Sequence, residues 1–249
     1  MSAIVAIPAR LESTRFPRKV LADLHGRPML WHVYQGVSQS QKIGEVWVMT
    51  DSTEVYEAAA SWGAKVVMTS SDCFSGTDRI ASVADSLNAD IIVNVQGDEP
   101  LITGHVVDAV VSALESSDAG VATPVYRITS LEEITNPNVV KVVRGADDRV
   151  LLFSRSPIPH VRDTDPELWL DAAEFWGHVG VYAYRRSTLL QFPHLPVGRL
   201  EGIEKLEQLR LLEAGTQFLA VEIDYRPHAV DSPSDLERVK QILEKGGTA

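Results

Sequence analysis

Residues 91–95, Ile-Ile-Val-Asn-Val, form a nearly unbroken apolar run with no alternating polar face. A strand of this kind has no side to offer to water, so it belongs in the middle of a parallel sheet covered on both faces. The rest of the first half repeats the theme. Residues 4–7, 46–49, 65–68 and 120–126 read as further strands. Helical patterns lie between them: 28–40, with Pro28 in its first turn; 53–62, capped by Gly63; a segment opening at Ser75-Gly76 with Ile80, Val83 and Leu87 on one face; and 104–115. Regular alternation of strand and helix predicts an α/β fold built on a doubly wound, mostly parallel sheet.

The second half is less regular. Residues 139–143, 151–153 and 176–184 read as strands among loops containing Pro157, Pro159 and Pro166. Leu200, Ile203, Leu206 and Leu209 make an apolar stripe that predicts one helix over 199–213, ended by Gly215. A last strand follows at 218–223, and Ser232-Pro233 opens a terminal helix. These patterns predict a smaller mixed α/β lobe within one domain of 249 residues, with approximate subdomains 1–130 and 131–249.

A net charge of −11 argues against bulk binding of nucleic acid or an anionic membrane. The single cysteine, Cys73, excludes an intrachain disulfide and a cysteine-rich zinc site. No apolar run approaches the roughly 18–20 residues that span a bilayer. The first strand runs straight into Pro8 and Arg10, unlike a signal peptide, so a cytoplasmic location is expected.

Against this acidic background, residues 10–27 carry five basic and two acidic side chains. A cationic loop at the carboxyl end of the first strand sits where open α/β sheets bind ligands, and it suits a polyanion such as a nucleoside triphosphate. On charge alone, it reads equally as a solvated basic loop. The dinucleotide Gly-x-Gly-x-x-Gly fingerprint and the P-loop consensus are both absent. Asp98 follows the apolar strand in the turn Gln96-Gly97-Asp98-Glu99-Pro100, where an oxygen ligand suits Mg²⁺ and an aspartate also suits the turn itself. Asp231 precedes the terminal helix, where Ser232 is the better cap. Ser75-Gly76-Thr77 can offer N–H donors to a ligand or simply cap a helix. Glu204, Glu207 and Gln208 are spaced to share one helical face.

The pattern is more specific than its charge. Pro8-Ala9-Arg10, Ser13-Thr14-Arg15-Phe16-Pro17, Lys19 and Gly26-Arg27-Pro28-Met29 resemble the signature of the 3-deoxy-manno-octulosonate (Kdo) cytidylyltransferases. Further matches follow in order: Ser75-Gly76-Thr77-Asp78-Arg79, Asn94-Val95-Gln96-Gly97-Asp98-Glu99-Pro100, Asn136-Pro137-Asn138-Val139-Val140-Lys141, Phe153-Ser154-Arg155, His178-Val179-Gly180-Val181-Tyr182, Leu206-Glu207-Gln208-Leu209-Arg210 and Val230-Asp231-Ser232-Pro233. Four positions depart from the family pattern: Arg18, Val20, Cys73 and Ser82. Arg18-Lys19-Val20-Leu21 stands for Gly-Lys-Pro-Leu, Cys73 for a histidine, and Ser82 for an acidic residue.

The resemblance implies transfer of CMP from CTP to Kdo for lipopolysaccharide biosynthesis. Arg15, Lys19 and Asp98 would be catalytic. Arg10, Arg15 and Lys19 would contact the phosphates, while Ala9, Arg10, Leu11, Ser75, Gly76 and Thr77 would frame the nucleotide. Gln96, Arg155, His178, Tyr182, Glu207 and Gln208 would bind the sugar, and Asp98 and Asp231 would hold Mg²⁺. It also implies a homodimer, with Trp169, Phe175, Trp176 and Tyr182 as aromatic candidates for the contact or the core. The rival readings are a cytidylyltransferase for 8-amino-Kdo or a sialic acid, a glycosyltransferase, and a non-catalytic nucleotide-binding protein. A glycosyltransferase would be expected to show Asp-x-Asp, whereas Asp98 is followed by Glu99-Pro100.

Overall fold

In a computed structural model that describes residues 1–13 and 15–245, the apolar runs become strands and the amphipathic segments become helices. Thr14 of the basic-loop motif lies outside the described residues. The first half supplies β1 (Ala3–Pro8), the hairpin β2 (Asp23–Leu24) and β3 (Arg27–Pro28), α1 (Met29–Val37), β4 (Glu45–Thr50), α2 (Thr53–Ser61), β5 (Lys65–Met68), α3 (Gly76–Ala81), β6 (Ile91–Val95), α4 (Gly104–Glu115) and β7 (Val121–Arg127). The second half adds α5 (Leu131–Thr135), β8 (Lys141–Arg144), β9 (Val150–Ser154), α6 (Trp169–Ala172), β10 (Trp176–His178), β11 (Val181–Arg185), α7 (Arg186–Gln191), α8 (Arg199–Glu204), α9 (Gln208–Glu213), β12 (Phe218–Glu222) and α10 (Pro233–Glu244).

One sheet runs in the order β5-β4-β1-β6-β11-β7-β10-β8-β9, with β12 beside β7. The strands β5, β4, β1 and β6 are mutually parallel, as the alternation predicts. All five residues of β6 are buried, which explains its unbroken apolar run. Strand alternation divides the core cleanly. Val5, Ile7, Val48, Val93 and Val95 pack against α1, α2 and α4 on one face. Ile4, Ala6, Met49 and Ile92 pack against α3, α7 and α9 on the other. The sheet is therefore doubly wound. Beyond β6 it becomes mixed, because β11 enters antiparallel with Tyr182 directly across from Asn94.

Three predicted elements are interrupted. The helix opening at Ser75 stops at Ala81 instead of running to Leu87. There Ser82 turns its hydroxyl back to the Arg79 carbonyl (2.7 Å), and the chain continues as a 3-10 turn with Leu87 still buried. The strand over 176–184 splits at Val179-Gly180, so that β10 pairs with β7 and β8 while β11 pairs with β6 and β7. The helix over 199–213 is two helices, because Lys205 adopts a left-handed conformation (φ 54°). Its apolar stripe does not make one face: Leu206 and Leu209 are buried, but Ile203 is 70% exposed. An ion pair between Arg210 and Glu201 (2.6 Å) ties the two helices together instead.

Trp169, Phe175 and Trp176 are buried within the chain itself, and the Trp169 and Phe175 rings stack at 5.9 Å. They belong to the core and offer no surface to a partner. Among the described residues, no helix is long and apolar enough to cross a membrane.

A left-handed conformation strains any residue bearing a Cβ, and glycine relieves that strain at some cost in unfolded-chain entropy. Lys205→Gly is therefore expected to raise stability by up to about 1 kcal/mol. Urea denaturation monitored by circular dichroism checks this, and a lowered midpoint would contradict it.

Candidate active site

The carboxyl ends of β1 and β6 open onto a polar cleft lined by Arg10, Arg15, Lys19, Ser75, Gly76, Gln96, Asp98, Glu207 and Asp231. Nine of the residues singled out in the sequence thus meet in one place. Ala9 lies beneath the cleft, its N–H extending the β1–β4 ladder to the Met49 carbonyl (2.8 Å). Ala9 and Thr77 are buried. Thr77 accepts from the Asn94 side chain (3.4 Å), and Asn94 accepts from Gln96 (3.1 Å). Ser75 is the N-cap of α3, accepting the Asp78 N–H at 3.1 Å, so the capping role is present and its residue also faces the cleft. A Cβ at Gly76 would come within 3.1 Å of the Pro8 ring and 3.5 Å of Gln96 Oε1. The missing side chain allows α3 to start close against β1, leaving its backbone open toward the cleft.

Lys19 stands at the centre. Its ammonium donates to Asp98 Oδ2 (2.6 Å), Asp231 Oδ1 (3.1 Å) and the Val230 carbonyl (3.1 Å). Burial works to lower its pKa, but the facing Asp98 and Asp231 charges outweigh this and hold the ammonium above its ordinary value. Arg15 reaches the same Asp231 oxygen at 3.1 Å.

Two carboxylates 133 positions apart in the sequence therefore share a cation. Asp231 arrives there because the segment after β12 folds back along the sheet edge. The Val230 N–H donates to the Asp98 carbonyl (2.9 Å). Glu99 accepts the His228 N–H (3.0 Å) and the Tyr225 hydroxyl (3.3 Å). Burial, with the adjacent Asp98 charge, pushes the Glu99 carboxyl up to about 8. As expected, Ser232 rather than Asp231 caps α10. The Asp235 carboxylate returns to the N–H groups of Asp231 (3.2 Å) and Ser232 (3.0 Å).

The residue types fit Mg²⁺. A cation already occupies the space between the two carboxylates, and hard oxygen donors are what this ion takes. Among the described residues no group of three or more His, Cys, Asp or Glu could hold a metal. A protein that offers a carboxylate pair leaves the remaining positions to phosphate oxygens and water, the usual arrangement for Mg²⁺.

The break at Lys205 separates Glu204 from Glu207 and Gln208, so the three do not share one helical face. Glu207 lines the cleft near Ser75 and Thr77, and burial raises its pKa despite their hydroxyls. Gln208 is buried. Glu204 turns the other way and accepts from the Ser154 hydroxyl (2.6 Å) and the Arg155 N–H (2.9 Å). Leu11, Arg155, His178, Tyr182 and Gln208 lie outside the cleft lining. The Tyr182 and His178 rings are 5.3 Å apart. The Thr123 hydroxyl donates to the Val181 carbonyl (2.7 Å), so its oxygen accepts from His178 Nε2 (2.9 Å). Burial pushes the His178 imidazole down to about 3, so it is neutral at physiological pH.

Two groups escaped the sequence reading. Arg79 is 3% exposed and pairs with Asp51 (2.6 Å), bracing the cleft wall; its place at the end of the Ser75–Arg79 motif was the available signal. Glu99 is the other, inside its own motif but with partners more than a hundred residues away.

The sequence profile of the cytidylyltransferase family matches residues 4–222. The protein named 3-deoxy-manno-octulosonate cytidylyltransferase in Solibacter usitatus is 46% identical over 239 residues, covering 96% of this chain and 93% of its own. Its namesake in Geobacter sulfurreducens is 43% identical, covering 98% of this chain and 100% of its own. Among solved structures, CMP:2-keto-3-deoxy-manno-octonic acid synthetase complexed with CTP superposes with a TM-score of 0.92 at 39% identity, covering 99% of this chain and 100% of that one. A cytidylyltransferase structure from Leptospira borgpetersenii, at 18% identity and a TM-score of 0.65, shares the fold. The fold and cleft are those of a nucleotidyltransferase. The chain belongs to the 3-deoxy-manno-octulosonate cytidylyltransferases.

The neutral His178 carries a consequence for acid stability. Its pKa is about 3 when folded against an ordinary 6.5, so below 6.5 the unfolded chain binds the proton that the folded one refuses. The contribution is fully present above 6.5 and is lost as pH falls from there toward 3. The variant His178→Gln is expected to lose stability less steeply over this window. Denaturation midpoints measured across it check the slope, and parallel curves would contradict it.

Proposed function

We propose that this chain transfers CMP from CTP to the anomeric hydroxyl of Kdo, releasing pyrophosphate. The observation that carries the reading is the convergence of Lys19, Asp98 and Asp231 in a cleft also lined by Arg10, Arg15 and Ser75. The lining combines cations suited to phosphate oxygens with carboxylates suited to a metal, the set that a metal-bound triphosphate requires.

In this reading, Arg10, Arg15 and Lys19 grip the phosphates. The backbone at Ala9 to Leu11 and Ser75 to Thr77 meets the cytosine edge, where fixed donors and acceptors reject a mismatched base. Gln96, Arg155, His178, Tyr182, Glu207 and Gln208 hold the sugar, with Arg155 matching its carboxylate by a two-pronged fork. A neutral His178 serves as a hydrogen-bonding group, not a base. Alignment of the sugar oxygen with the α-phosphate supplies much of the rate enhancement, and Arg15 and Lys19 neutralise charge moving toward pyrophosphate. Asp98 and Asp231 would hold Mg²⁺, which when bound withdraws charge from the phosphates and acidifies the attacking hydroxyl. The second half of the chain, 131–249, carries most of the sugar site. The reaction belongs in the cytoplasm and would feed lipopolysaccharide assembly.

The same reading includes a homodimer through the second half. The surface that supports it is not the buried aromatics but the exposed apolar side chains of Val197, Leu200 and Ile203. Light scattering at micromolar concentration is expected to give twice the chain mass, and a monomeric mass would contradict it.

Pyrophosphate release tests the activity directly. CTP with Kdo and Mg²⁺ is expected to turn over, while UTP and ATP are not. A panel of other acid sugars sets the specificity. In the same assay, Asp98→Asn and Asp231→Asn are expected to lower kcat/KM by about a hundredfold or more, with little change in thermal stability. Turnover of ATP at the CTP rate would sink the nucleotide assignment, and wild-type kinetics in both variants would sink the metal assignment.

A further inference from the structure

Lys141 is fully buried, and nothing derived so far uses it. It lies on β8 directly across from Ser154 of β9, the residue before Arg155. Its ammonium donates to the carbonyls of Asn136 (2.8 Å) and Val139 (2.6 Å). Between those two residues, the Pro137 carbonyl accepts from Arg155 Nη1 (2.9 Å). The Arg155 Nε donates to the Glu204 carbonyl (2.8 Å). The short turn 136–139 therefore directs three carbonyl oxygens at two cations. Among the described residues, neither cation is within ion-pair distance of a carboxylate. Burial, together with the nearby Arg155 charge, lowers the Lys141 pKa, and the Glu204 carboxylate offsets this only in part.

A buried ammonium whose direct partners are all carbonyls is expensive to keep, and a neutral residue of similar length would pack there more cheaply. Its bonds show what it does instead. It clamps both ends of the turn whose middle carbonyl orients the guanidinium. We propose that Lys141 is a positioning residue for the sugar acid: it fixes the 136–139 turn so that Pro137 and Glu204 hold Arg155 with its remaining N–H groups presented to the sugar carboxylate. This inference rests on the reading of Arg155 as the carboxylate ligand.

A double-mutant cycle separates the two ideas. Lys141→Met is expected to raise KM for Kdo by about tenfold or more, the scale of one lost charge-assisted hydrogen bond, while KM for CTP stays within about twofold. In an Arg155→Ala background, the same substitution is expected to add little. If Arg155→Ala raises the sugar KM and Lys141→Met does not, the positioning role is overturned and the Arg155 reading survives. If Arg155→Ala leaves the sugar KM unchanged, the reading beneath it fails. Additive effects, or equal increases in both KM values with a lowered Tm, would show a merely structural lysine. Should the methionine variant not fold, a crystal structure of the unmodified protein with Kdo decides. Arg155 is expected to keep its bond to the Pro137 carbonyl while touching the carboxylate; a guanidinium swung away from that carbonyl would overturn the proposal.

Discussion

One ammonium group joins the parts of this molecule that do chemistry. Lys19 comes from the loop after β1, Asp98 from the turn after β6, and Asp231 from the segment before α10. None of the three could stay where it is alone. A half-buried lysine without counter-charges would shed its proton more readily, and two facing carboxylates without a cation would repel each other. Together they form a neutralised core in an otherwise open cleft. A ligand that brings its own phosphates and metal must then exchange partners with this network, not create one. The strand ends provide the rigidity: β1 and β6 are neighbours in register, so the two loops leaving them are adjacent before any side chain is placed.

The first half of the fold was legible because each element answers to one rule. A strand covered on both faces must be apolar throughout, and a helix lying on it must show an apolar stripe. β6 and α4 match their predicted limits because nothing else competes for those residues. The second half departs wherever a distant partner overrides the local pattern. Residues 199–213 have helical spacing, yet Glu204 is held by Ser154 and Arg155 about fifty positions earlier, and the chain turns at Lys205 to meet them. Likewise, the run at 176–184 reads as one strand because its residues favour extended structure. Its step at Val179-Gly180 is set by which neighbours it pairs with, and no single segment encodes that.

The same distinction governs the site. Local motifs marked the residues that line the cleft, including both aspartates. Their meeting depends on Glu99, Tyr225 and His228, whose hydrogen bonds join segments far apart in the chain. The sugar-side residues were visible as motifs but not as one lining. His178 and Tyr182 sit on strands of the mixed part of the sheet and Arg155 just after one, outside the polar cleft that Gln96 and Glu207 share with the basic loop.

The return of the chain end has a consequence for synthesis. Asp231 is held by the cap of α10, and α10 settles on Leu24, Met29 and Leu101 through Leu236 and Val239. The sheet's ten strands are all translated before residue 223, so a growing chain can assemble its entire framework while the second carboxylate is still unmade or unanchored. A product truncated shortly before the last helix would have every strand of the sheet, yet it would leave Leu24, Met29 and Leu101 uncovered and Asp231 without its anchor. The second carboxylate and the last helix therefore enter the structure together, and the cleft gains its full set of charges only once α10 has docked.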